Sequence, residues 1–417
     1  DHDRSGRYTC RDFGKNYLTS VDENGIIFTN GDNDTFPLWY AQETEGYRTD
    51  VRVCNLSYLQ TDWYVNQMKS QAYESDPLPI SMEELQYGNK KREYAYILDR
   101  VDYPVSVKMA MDYFLSDDER TKTIPGYGKI NHLPTGELFI DIDKEKILKS
   151  GIVPKGYEDK IVDRIDLSFK DKNTLILNDL AIIDLLSTNA ETGWKRPVYF
   201  ATTVDPSFFT ETDKYFMRTG MAYEVVPVKL ENTPGRYQVN TDKMYDNVMN
   251  KFVWGGIDVN PDIYLDETIR RMCYSYRIMF IDLIDQLIQE GKTDKALKAL
   301  DYCMEKIPGD VVPHNYISLQ LAMDYYFLKQ NEKGKALLEK IADSAIEYVT
   351  WINSLDNNKK RSVQRDYYYN ERALAEQAIP MFYRFGDEES GKKYLEKAAL
   401  AGVDINRYFK IDTSKTN

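Results

Sequence analysis

The hydrophobic pattern of the first sixty residues changes period twice. Ile26, Ile27 and Phe28 form a short apolar run after Gly25, which predicts a buried strand. The polar stretch 30–34 reads as a turn. Thr35-Phe36-Pro37 reads as a helix start, because the N–H that proline lacks has no partner in the first helical turn anyway. A second apolar run at 51–54 predicts another strand. Strand, turn, helix and strand within about thirty residues is the size of a βαβ unit, whose right-handed crossover makes its strands parallel. Ligands gather at the carboxyl ends of such strands. That edge would carry Asp32, Asn33 and Asp34, with Asn55 and Ser57 following the second strand.

Further along, the pattern predicts helices over 8–20, 105–115, 144–150 and 178–187, and strands over 138–142, 197–203 (ending in Thr202-Thr203 at a carboxyl edge) and 223–228. Pro197 at the first residues of a strand is where a sheet tolerates proline. Between 72 and 136 the pattern loosens, with five prolines and a Gly-Tyr-Gly loop at 126–128. Pro234 and Gly235 mark the clearest break. From about 267, Ile269, Met272, Cys273, Tyr276, Met279, Phe280, Leu283 and Leu287 recur at three and four, the stripe of a long amphipathic helix. A turn residue followed five positions later by a small one recurs as Gly291 and Ala296, Asn331 and Ala336, Gly386 and Gly391. The spacing is wider than a strict tetratricopeptide period, so the pattern predicts a degenerate array of helical hairpins. The expected fold class is therefore an α/β domain with a parallel or mixed sheet over 1–231, a linker over 232–266, and an all-α tetratricopeptide-like array over 267–417. Such arrays commonly bind proteins.

Composition narrows the chemistry. With 42% hydrophobic residues, no run approaches a membrane span. The net charge of -13, with both signs interspersed, argues against nucleic acid as a partner. The four cysteines show no paired metal spacing and the three histidines are scattered, which disfavours a zinc site or a Ser-His triad.

Two readings of the acidic turn stand. In one, Asp32 and Asn33 fold back on their own backbone while Asp34 or Thr35 caps the helix. In the other, Asp32 and Asp34 form a hard-oxygen cluster for a divalent cation, or a site that reads hydrogen-bond donors. Near the start, Arg4 and Arg7 beside Ser5-Gly6 and a helix N-terminus are candidates for holding a phosphate; a solvated segment with incidental charge is the alternative.

The stretch 25–43, together with His2-Asp3-Arg4-Ser5-Gly6-Arg7, Asp50-Val51-Arg52-Val53, Asn55-Leu56-Ser57, Thr61-Asp62-Trp63-Tyr64, Arg196-Pro197-Val198-Tyr199-Phe200-Ala201 and Gly220-Met221-Ala222-Tyr223, closely resembles one bacterial family. It looks like the soluble C-terminal part of the polytopic proteins of domain of unknown function 2723, a family common in Bacteroidetes-type bacteria and grouped with protein-O-mannosyltransferase-like glycosyltransferases. One departure is an insertion at 190–193, so Asn189 is not carried over as a site residue. The resemblance implies an N-terminal transmembrane domain as partner and a position on the periplasmic side of the inner membrane. It also implies a polyprenyl-phosphate sugar donor, and a fragment that is incomplete as a catalyst. A weaker similarity to oligosaccharyltransferases implies that Asp32, Asn33, Asp34 and Trp39 engage an acceptor, and that Arg4 and Arg7 face a lipid phosphate. The alternative is a non-catalytic scaffold whose acidic turn is structural. A soluble transferase with Asp32-Asn33-Asp34 as a metal motif is disfavoured, since no nucleotide-binding glycine loop accompanies it.

Overall fold

The computed structural model describes residues 4–126, 128–363 and 365–403. His2 and Asp3, Tyr127 of the Gly-Tyr-Gly loop, and the end of the expected helical array lie outside these residues. The chain divides into two units, Tyr8–Gly255 and, separately, the residues up to Arg7 with those from Gly256 onward. The first is α/β with mixed sheets, the second all helical.

The α/β unit is built on β1 (Ile26–Thr29) and β2 (Arg52–Asn55), which pair in parallel with Ile26 opposite Arg52. On the other side of β1 lies β3 (Val198–Ala201), also parallel, with Ile26 opposite Val198. Every residue of these three strands is buried, as in parallel sheets covered on both faces. The sheet continues through antiparallel β5 (Ala222–Val225) to β4 (Phe216–Arg218) and ends at β6 (Gln238–Val239), parallel to β4. On one flank, Phe28, Phe200, Phe209, Phe216 and Tyr223 make a chain of ring contacts with centroids 4.8 to 6.3 Å apart. Among the described residues three smaller sheets come from the stretch 94–176, one of them pairing Glu137–Asp141 with Arg164–Ser168.

Between β1 and β2 runs α2 (Asp32–Glu45), packed on α1 (Thr9–Thr19). Their crossing is close because Gly14 has no side chain; a Cβ there would stand 2.3 Å from the Pro37 carbonyl oxygen. The helix α3 (Leu177–Glu191) is buried nearly all round, which is the position of a helix inside a core rather than on a surface. Its Asp184 accepts from Ser81 N and Ser81 Oγ, both at 2.6 Å, and so fixes the 81–82 loop.

Buried arginines tie the loops. Arg196 donates to the carbonyl oxygens of Asn24, Asp76 and Pro77 and to Ser75 Oγ, while Arg52 donates to those of Met68, Ser70, Ser75 and Asp76. Loop carbonyls withdrawn from water need such donors, and a fork of fixed N–H groups supplies several from one side chain. Asn189 is structural too. Its Nδ2 donates to the Arg196 carbonyl oxygen at 2.7 Å and its Oδ1 accepts from Arg196 N at 3.2 Å, stitching the end of α3 to β3.

The stretch 232–266, expected to be a linker, is structured instead. Asn232 donates through Nδ2 to the carbonyls of Asp213, Lys214 and Phe216 and accepts from Gln238 N. The break at Pro234-Gly235 is thus a turn leading into edge strand β6. Residues 241–251 continue as helix, with Lys243 Nζ bonded to Asp22, Tyr199 and Glu224.

The second unit holds three helical hairpins: α4 (Glu267–Gln289) with α5 (Thr293–Lys306), α6 (Tyr316–Phe327) with α7 (Asn331–Ser354), and α8 (Arg365–Arg384) with α9 (Glu388–Leu400). The middle turn differs from the expectation by two residues. Lys329, with φ 59°, takes the left-handed place that Gly291 and Gly386 fill in the others, and Asn331 begins α7. The small residue five positions on is then Gly334, where a Cβ would meet the Tyr326 ring at 2.8 Å, as Gly391 meets Tyr383.

Candidate functional site

The helix α2 starts three residues earlier than the proline suggests. Gly31 is its cap, with φ 90° and ψ -179°, a conformation that glycine alone adopts without strain. Asp32, Asn33 and Asp34 therefore form the first helical turn rather than a turn before it, and Pro37 lies inside the helix. The cap has no side chain; Asp34 instead folds back to accept from Asn30 N, just ahead of the helix, through Oδ2 at 3.0 Å, which fixes the entry of the chain into α2. An acid in the first turn is also favoured by the helix dipole.

These residues stand at the carboxyl ends of β1, β2 and β3, where the chain order reverses on either side of β1. Ligands of open α/β sheets bind at such a reversal. Thr203, just beyond β3, donates from Oγ1 to Asp34 Oδ2 at 2.9 Å. The same hydroxyl lies 3.1 Å from the Tyr17 hydroxyl of α1. Asp34 is only 2% exposed, and burial raises its carboxyl from the ordinary 3.8 to about 6, against the lowering effect of its hydrogen bonds. Burial also pushes the Tyr17 phenol up, with Asp34 adding to the rise. A carboxyl poised near neutrality at a strand edge can accept a proton or a donor hydrogen bond from a hydroxyl.

The other candidates separate. Asp32 and Asn33 are exposed on α2. Asn55 is buried and engaged: its Nδ2 donates to Thr35 Oγ1 at 2.9 Å and its Oδ1 accepts from Ser57 N and Tyr58 N. It binds β2 to α2 and offers little to a ligand. Trp39 is half-buried, stacked between Phe36 and Tyr58. Arg4 is exposed, whereas Arg7 belongs to the helical unit's own structure, donating to Asp266 Oδ2 at 3.0 Å. Asp266 caps α4 through Ile269 N, so the Arg7 guanidinium is committed to a carboxylate rather than open to a phosphate. Arg4 and Arg7 fall in the second unit, Asp32 and Asp34 in the first.

The cation reading of Asp32 and Asp34 loses support. Among the described residues no group of three or more His, Cys, Asp or Glu side chains is placed to hold a metal ion, and Asp34 Oδ2 is taken by Asn30 and Thr203. Among the described residues the cysteines form no disulfide; Cys54, Cys273 and Cys303 are buried and Cys10 is exposed. The α/β unit has a groove of about 810 Å³ elsewhere, lined by Lys160, Asp163 and Arg164 among others. Of the charges lining it, Arg164 pairs with Asp166, and Asp163 with Lys144 beside the groove.

One contact and one member of the site escape sequence reasoning. Thr203 ends the strand that begins at Pro197 and so falls at a carboxyl edge, but its bond to Asp34 spans far-separated parts of the chain. Tyr17 carries no local signal at all; it reaches the site because α1 crosses α2 at Gly14.

Residues 10–243 match the family described as TMEM260-associated domain 2. No curated protein and no solved structure gives a significant match.

Proposed function

The chain belongs to the TMEM260-associated domain 2 family, and from that premise, with the motif resemblance at 25–43, we propose that it is the soluble periplasmic domain of a membrane-embedded glycosyltransferase. The enzyme is of the protein-O-mannosyltransferase type and uses a polyprenyl-phosphate sugar donor. The chain assists recognition of the acceptor or of the lipid-linked sugar, its own membrane domain is the partner that completes the site, and its helical hairpins dock a protein. The observation that carries this reading is Asp34. It is a buried carboxyl raised to about 6 at the reversal point of a parallel sheet, next to the exposed Asp32. A fold retains such a costly group where function needs it.

The alternative, a scaffold with a structural acidic helix start, is favoured by Asn55, whose side chain is wholly engaged within the protein. One experiment separates the two. Asp32→Ala, at an exposed position, leaves the fold intact. In the complete protein it should lower sugar transfer from a polyprenyl-phosphate donor at least about tenfold, an interaction of the size of a charge-assisted hydrogen bond. Transfer at the wild-type rate would remove Asp32 from the site and favour the scaffold.

A further inference from the structure

Next to the carboxyl edge, four aromatic rings form a stepped ledge. Phe36 and Trp39 on α2 are offset-stacked at 5.8 Å with 26° between planes. Trp39 and Tyr58 follow at 6.2 Å and 18°, then Tyr58 and Trp63 at 6.2 Å and 43°. Phe36 and Trp63 are 46% and 56% exposed. The ledge is rigid, because buried Tyr64 meets Tyr58 and Trp63 edge-on and its hydroxyl accepts from Asn55 N at 3.0 Å. It is continuous with the Asp34 site, since Ser57 Oγ donates to Asn30 Oδ1 at 2.7 Å and Asn30 N donates to Asp34.

Two features of this surface choose its occupant. The segments that build it, 30–47 and 53–68, contain no lysine or arginine, and of their carboxylates Asp32 and Glu43 are exposed and Asp62 half-buried. Such a surface repels phosphate and anionic lipid. Second, Leu38, Leu56, Leu59, Val65 and Met68 of these segments are all buried, while the exposed large apolar residues are the rings of Phe36, Tyr40 and Trp63. An acyl chain or an amphipathic helix is matched by aliphatic surface. Rings rimmed by carboxylate, amide and hydroxyl match a molecule with polarised C–H faces and hydroxyl edges. Its C–H groups would meet the exposed rings of Phe36 and Trp63 at the two ends of the ledge, and its hydroxyls would meet Asp32, Asn33 and Ser57, which can accept or donate.

We propose that the Phe36–Trp39–Tyr58–Trp63 ledge binds a neutral saccharide chain by stacking. The geometry holds whether or not the chain serves a transferase, and direct binding tells the failure of one reading from the failure of the other.

The test titrates the chain with mannotetraose, cellotetraose, xylotetraose and chitotetraose, following tryptophan fluorescence and calorimetry. At least one should bind saturably. Trp63→Ala, at an exposed position, should weaken that binding roughly tenfold, the worth of a lost stacking contact, and Trp63→Phe should restore most of it. Near-ultraviolet circular dichroism checks that each variant is folded. Failure of all four sugars to bind at millimolar concentration would overturn the proposal. So would binding that survives both Trp63→Ala and Phe36→Ala, or sedimentation with phosphatidylcholine or phosphatidylglycerol vesicles in the absence of sugar binding.

Discussion

Replacing Asp34 by asparagine removes a carboxyl whose ionised form the fold disfavours. The rise from 3.8 to about 6 means that between these values the folded chain binds more protons than the unfolded one. Stability then falls as pH rises through that window. At about 1.4 kcal/mol for each pH unit, the ionised carboxylate costs roughly 3 kcal/mol above the window and nothing below it. Asparagine keeps an oxygen that can accept from Asn30 N and Thr203 Oγ1, the partners of Oδ2, but brings an amide N–H pair whose desolvation offsets about 1–2 kcal/mol. The expected outcome is a variant more stable than wild type by about 1–2 kcal/mol near pH 8. Near pH 4, where the carboxyl is largely protonated and its ionisation cost is gone, the variant should be less stable than wild type by about 1 kcal/mol. The assay is urea unfolding at several pH values followed by tryptophan fluorescence. Four of the five tryptophans, Trp39, Trp63, Trp194 and Trp254, lie in the α/β unit, so the signal reports that unit. Comparing two proteins at each pH cancels the titration of the other carboxyls. The reasoning is refuted if Asp34→Asn destabilises the chain as much near pH 8 as near pH 4, because the ionised carboxylate would then be stabilising.

Two further substitutions test the packing that positions the site. Arg196→Met should cost about 3 kcal/mol, since it leaves the part-buried carbonyls of Asn24 and Pro77 without this donor and that of Asp76 with Arg52 alone. Burial beside Arg52 pushes this guanidinium down to about 10, so it stays charged at neutral pH, and Arg196→Lys should recover only part of the loss because an ammonium cannot fork to three carbonyls. Gly14→Ala should lower the melting temperature by the equivalent of about 1–3 kcal/mol, as its Cβ drives α1 from α2 at Pro37; an unchanged melting temperature would mean that the two helices part without cost.

The parallel pair β1 and β2 was legible because each strand is a bounded apolar run at βαβ distance. Helices such as Lys144–Ser150 and Thr293–Lys306 were legible from their period. The start of α2 is not legible because proline at 37 reads as a first-turn residue, whereas the helix begins at Gly31 through that residue's unusual backbone, with Asp34 folding back to Asn30 N. The expected linker was misread because Pro234-Gly235 marks a chain reversal equally well inside a domain. Only the long-range bonds of Asn232 distinguish the two. The strands of the middle region were hidden by their shortness; His132–Leu133 and Val105–Ser106 have two residues each, too few for a period. As for the site, the sequence placed Asp32, Asn33 and Asp34 at the right edge of the sheet. It could not show that Asp34 turns inward to Thr203 while Asp32 faces solvent, because side-chain direction in the first helical turn depends on where the cap falls.

The central claim is that Asp34 is kept for recognition at the sheet edge rather than for the fold. The most direct test is sugar transfer by the complete protein carrying Asp34→Asn, with its stability measured in the same preparation. The account predicts transfer reduced at least about tenfold in a protein that is folded and no less stable near neutral pH. Transfer at the wild-type rate from that folded variant would contradict it.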